Sequence, residues 1–145
     1  MEIKSAAMPE KAFQILHDGE NCTIEFFDNA RAEPDIDERT GRKITVWHCE
    51  KYVLTVPNAP GLAEEIENNY SEWLKKAKEA ELTAEAEKVR RYRNGLLEQC
   101  DAQYCKTNCT AAQRAKLEAY KQELRDVPVQ DGFPFIINWP VLPAV

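Results

Sequence analysis

Apolar and polar residues alternate twice within the first 60 positions. Cys22-Thr-Ile-Glu-Phe-Phe27 sets Ile24 and Phe26 against Thr23 and Glu25, which is the period of a strand with one buried face. Lys43 to Val56, KITVWHCEKYVLTV, is dense in β-branched and aromatic residues, yet it exceeds a typical strand of about 5–6 residues. Divided at Cys49-Glu50-Lys51, it gives strands near Ile44 to His48 and Tyr52 to Val56. With the Thr23 to Phe27 strand these predict a three-stranded antiparallel meander. Between them, Ala30 to Lys43 is polar, contains Pro34 and Gly41, and reads as a long hairpin loop. Ahead of them, Pro9 and EKAFQILHD followed by Gly19 predict a short helix, with Phe13 and Leu16 on one face and His17 at its C-terminal end.

The period changes after Val56-Pro-Asn-Ala-Pro-Gly61. Leu62, Ile66, Tyr70, Trp73 and Ala77 recur at helical spacing, and a thinner stripe of Ala80, Ala84, Val89, Leu96 and Leu97 continues it. One long helix from Leu62 to Leu97 is expected, about 50 Å at the usual rise, its first half covering the sheet. A strict heptad holds from Tyr70 through Trp73, Ala77, Ala80 and Ala84 and then meets Glu87 and Arg91, too short a run to define a coiled coil by itself. Self-association through this helix is a reading that the pattern leaves open.

Thr110-Ala-Ala-Gln113 has the form of a capping box and opens a further helix. Ala115, Leu117, Tyr120 and Leu124 form its inward face, Arg114, Lys116, Lys121 and Arg125 line the outside, and Val127-Pro128 ends it. Packing of Leu96 and Leu97 against Leu117, Tyr120 and Leu124 would close a helical hairpin. Prolines then hold the chain extended while Phe133, Phe135 and Trp139 add large apolar area. Such a tail folds back over the hairpin or docks on a partner.

Charge and chemistry narrow the function classes. A net charge of −6 repels phosphate backbones and anionic lipid, so no nucleic-acid or membrane partner is expected. Lys88-Val-Arg90-Arg91-Tyr92-Arg93, the densest basic run, spreads around a helix among glutamates and reads as a solvated face. No apolar run approaches the ~20 residues of a membrane span, and the N-terminus lacks the pattern of a secretory signal. Five cysteines, an odd number, then argue for reduced thiols in a cytoplasmic protein. Cys100, Cys105 and Cys109 offer three thiols at C-x4-C-x3-C, but a structural zinc takes four ligands and no second pair is near. Asp35-Ile-Asp37-Glu38 lacks the glycine and distal glutamate of a calcium loop and reads as a turn. No nucleophile elbow, phosphate-binding glycine loop or HExxH is present, and two histidines leave little for base catalysis. The expectation is no metal, no cofactor and no enzyme.

The C-terminal third carries a more specific pattern. Arg93-Asn-Gly-Leu96-Leu97, then Cys100-Asp101, Tyr120-Lys-Gln122-Glu-Leu124-Arg125-Asp126-Val-Pro128, Gln130, Gly132-Phe133-Pro134, Trp139-Pro140 and Pro143 resemble the C-terminal module of phage tail assembly chaperone proteins. That pattern runs R-D/N-x-L-L, D-W-T-Q, Y-R-Q-x-L-R-D-I/V-P, Q-x-G-F-P and W-P-x-x-P. Here Asp101-Ala102-Gln103-Tyr104 stands where D-W-T-Q is usual, so the tryptophan is missing. The resemblance covers residues 93–143 and implies a non-catalytic phage or prophage protein of the bacterial host cytoplasm. Its partner would be a phage tail or tail-fibre protein. Contact residues implied with it are Tyr120, Leu124, Arg125, Asp126, Phe133, Pro134, Trp139 and Pro140. The alternative is a structural component of the virion that forms a homo-oligomer through the long helix. The fold class expected is α+β: an antiparallel meander covered by a long helix, then a helical hairpin with an aromatic and proline-rich tail. Three regions are expected: 1–60, β-rich with a short leading helix; 61–98, the long helix; and 99–145, the chaperone-like module.

Overall fold

The computed structural model describes residues 1–5, 7–8, 10–106 and 109–143, without the side chains of 103–106. Its class is α+β. Four strands, β1 Glu2–Ser5, β2 Phe13–Asp18, β3 Asn21–Ile36 and β4 Lys43–Pro57, form one antiparallel sheet in the order β1-β4-β3-β2. Three helices follow, α1 Leu62–Asn68, α2 Tyr70–Lys106 and α3 Ala111–Asp126, and a 3-10 turn covers Val127–Val129. The chain divides into two compact units, Met1–Glu81 and Leu82–Val145.

In the first unit the meander of β2, β3 and β4 is present, with β1 added on the outer side of β4. Where a short leading helix was expected, the chain forms β2, and Pro9 lies outside the described residues. Phe13 and Ile15 are half-buried against the core, while Gln14 and Leu16 face away. So short an apolar run satisfies either period, and pairing with β3 decides in favour of the strand. Gly19, at φ 63°, supplies the left-handed position of the connecting turn.

The split of 43–56 and the loop at 30–43 are both corrected. β4 is a single strand through Cys49, Glu50 and Lys51, because β3 supplies partners along its length: Phe27 opposite Lys51, Asp28 opposite Glu50, Arg31 opposite His48 and Glu33 opposite Val46. A bulge between Asp28 and Arg31 with Asn29 in the left-handed region, φ 51°, lets β3 continue to Ile36. The connecting turn is held by Asp37, which accepts from Arg39 N at 2.9 Å and Thr40 Oγ1 at 2.5 Å. Beyond the reach of β1 and β2, residues 31–36 and 43–46 form a two-stranded ribbon.

One face of the sheet is buried. Cys22, Ile24 and Phe26 form a core with Leu62, Ile66, Trp73 and Ala77, bordered by Tyr52, Leu54, Val56 and Tyr70. Tyr70, Trp73 and Ala77, which open the heptad, are therefore spent on the sheet. Lys78 Nζ donates to Asp28 Oδ2 at 2.7 Å, which lowers the Asp28 pKa and raises that of Lys78. Lys51 pairs with Glu25 in the same way and lowers the Glu25 pKa. The helical pattern breaks at Asn69 and then runs to Lys106, past the expected end at Leu97.

In the second unit Leu117, Tyr120 and Leu124 of α3 pack with Cys100 and Cys109, and Leu96, Leu97 and Trp139 border them. The helical hairpin is thus formed by the residues that the periodicity singled out. Ala115 is exposed rather than inward, and Lys121 is largely covered rather than outward. Its ammonium donates to Asp101 Oδ1 at 2.7 Å and to Glu118 Oε1 at 3.3 Å, joining α2 to α3 and raising the Lys121 pKa.

Candidate partner-binding surface

The surface is built outward from the cap of α3. Gln113 N donates to Thr110 Oγ1 at 3.3 Å and Thr110 N donates to Gln113 Oε1 at 2.8 Å, so the box seen in the sequence closes in both directions. This sets the phase of α3 and turns Leu117, Tyr120 and Leu124 into the core, where burial raises the Tyr120 pKa. Cys100 sits in the same core, and burial raises its thiol pKa too, which makes it a poor nucleophile. The Cys105 side chain and that of Tyr104 lie outside the described residues. Among the described residues, no group of three or more His, Cys, Asp or Glu side chains is placed to hold a metal ion.

Past α3, the chain folds into a closed loop. The Gln130 side chain donates to Asn138 O at 3.0 Å and accepts from Asn138 N at 2.8 Å, tying the two ends together. Inside it Ile136 N donates to Gly132 O at 2.7 Å. A Cβ on Gly132 would stand 2.3 Å from Ile136 O, so only glycine fits there. Pro134 is buried after a cis Phe133–Pro134 peptide. Arg90 stacks 5.6 Å from the Phe133 ring centroid, and Tyr92 meets Trp139 edge-on at 4.8 Å. The residues of the Q-x-G-F-P and W-P pattern are thus the ones that shape and anchor this loop.

Residues 86–144 match the phage tail assembly chaperone protein family. The chaperone-family segment begins at 86, seven residues ahead of the 93 read from the sequence (93 − 86 = 7). No curated protein and no solved structure matches the chain. The family match supports a role in phage tail assembly.

Within the chaperone-family segment, the expected contact residues separate into two groups. Tyr120, Leu124 and Pro134 are buried, and Phe133, Trp139 and Pro140 are half-buried. Arg125 and Asp126 are exposed at the end of α3. What the loop offers to solvent is a different set: Val129, Phe135, Ile136 and Val141, at 80%, 62%, 72% and 87% exposure. The sequence expectation omits all four from the contact set. Its only signal for them is an apolar run, Phe135-Ile136-Ile137, that fits neither helical nor strand period and adjoins residues already committed to closing the loop. No helix among the described residues is long and apolar enough to cross a membrane.

Proposed function

We propose that this chain is a non-catalytic phage or prophage tail assembly chaperone, which binds a tail or tail-fibre protein in the bacterial host cytoplasm during morphogenesis. The observation that carries the reading is the match of residues 86–144 to that family. The exposed apolar side chains within the same segment support it, since a loop held shut by Gln130 and Gly132 could turn Phe135 and Ile136 inward and instead turns them out. A surface of this kind covers an apolar face of its client until that face reaches its place in the tail. Binding then lowers the free concentration of the unassembled client by mass action.

Quantitative mass spectrometry of purified particles against the lysate they came from tests the reading. A transient assembly factor is abundant in the lysate and depleted from particles. A fixed copy number per particle would instead make the chain a structural tail component, and the chaperone reading would fail.

A further inference from the structure

One face of α2 carries a groove that the fold of its own unit leaves open. It is lined by Lys88, Arg91, Tyr92, Gly95, Leu96 and Gln99, positions three and four apart, so that they share one side of the helix. Gly95 forms its floor. Glycine is among the least favourable residues in a helix interior, and two structural reasons can require it: a positive φ, or a neighbour too close for a Cβ. Neither holds at Gly95. Its φ is not positive, and a built Cβ meets nothing within 4 Å. Gly132 is the contrast, with Ile136 O at 2.3 Å.

We propose that Gly95 is a crossing point for an acidic amphipathic helix of the tail-protein partner. The surface between rows of side chains on α2 accepts the ridge of a second helix, and a missing Cβ lets the two backbones approach closely. Tyr92, 58% exposed, and Leu96 give the apolar flank. Lys88 and Arg91 give the charge: both are cations, and no carboxylate lines the groove. In a chain of net charge −6, a face carrying only positive charge selects an acidic occupant. Arg90, in the same basic run, is already engaged with Phe133. The proposal rests on the chaperone reading above and adds where the partner lies and what its chemistry is.

The test co-expresses the full chain with each tail protein of the same phage and measures affinity for any that is retained. Gly95→Ala raises the melting temperature, because the helix gains a better former and nothing obstructs the methyl. Gly95→Leu keeps the fold and weakens binding at least tenfold. Lys88→Glu with Arg91→Glu also weakens it, and removes most of its dependence on salt. Unchanged affinity of Gly95→Leu for a tail protein that the wild-type chain retains would overturn the crossing point and leave the chaperone reading standing. If the wild-type chain retains no tail protein, both fall. A wild-type dimer that Gly95→Leu makes monomeric would make the occupant a second copy and overturn the partner. A lowered melting temperature for Gly95→Ala would show that the position is packed within the chain, and would overturn the proposal as well.

Discussion

Two glycines in the family-matched segment have opposite reasons to be there. At Gly132 a side chain has no room, because the loop that Gln130 closes brings the Ile136 carbonyl against it. Gly132→Ala is therefore expected to lower unfolding stability by about 1–3 kcal/mol, the usual cost of forcing atoms into a packed site, as read from urea denaturation of the full chain. Gly95 has room to spare, and its substitution should act on binding instead. The sequence marks both positions with the same letter. Position within a helix or a turn was legible from it, but whether a neighbour stands where the Cβ would be was not. For the same reason Trp139 and Phe133 could be named as large apolar side chains, while their partial coverage by Tyr92 and Arg90 depended on how the tail turns.

Elements were legible in proportion to how much of their stability is local. α3 is specified by its own residues: Thr110 and Gln113 cap it, Leu117, Tyr120 and Leu124 give its face, and Pro128 follows its end. Thr110→Ala removes an accepting oxygen from the first turn and should cost about 1 kcal/mol, visible as a lower urea midpoint without loss of the folded state. Exposed as it is, the Thr110 methyl contributes little beyond the cap. β2 is the opposite case. Phe13, Ile15 and Leu16 fit a helix by spacing, and only pairing with Phe26, Ile24 and Thr23 makes them a strand. The second half of β3 was illegible for a related cause: Ala30-Arg-Ala-Glu-Pro34 has poor strand propensity and is held by its register with β4. The end of α1 was hidden too, since Asn69 interrupts a stripe whose spacing continues on both sides.

At the scale of the molecule, two separate cores predict two different responses to pH. In the first unit Asp28 and Glu25 each accept a hydrogen bond from a lysine, and each titrates below its ordinary value of 3.8 or 4.5. The unfolded chain takes up these protons first, so the two pairs stabilise the unit above those ordinary values. That contribution is lost as pH falls through the lower folded values. Lys78 and Lys121 titrate above their ordinary 10.5, so their contribution is complete below that value and is lost at still higher pH. Acid unfolding below about pH 4.5 should therefore shift upward in midpoint for Asp28→Asn, followed by tryptophan fluorescence; a midpoint that does not move would mean that the Lys78 pair contributes nothing to stability.

The ribbon beyond the bulge bears on how this chain behaves at high concentration. Residues 31–36 and 43–46 have each other as strand neighbours, so backbone donors and acceptors point outward along both sides. Such borders invite edge-to-edge stacking into fibrils. Pro34 takes one donor out of β3, while Arg31, Glu33, Asp35 and Lys43 set charge along the same stretch and Asn29 bends it at the root. What looks in the sequence like a segment too polar and too proline-marked to be a strand is a strand protected against adding another. Its unfavourable composition is what keeps a crowded lysate from extending the sheet.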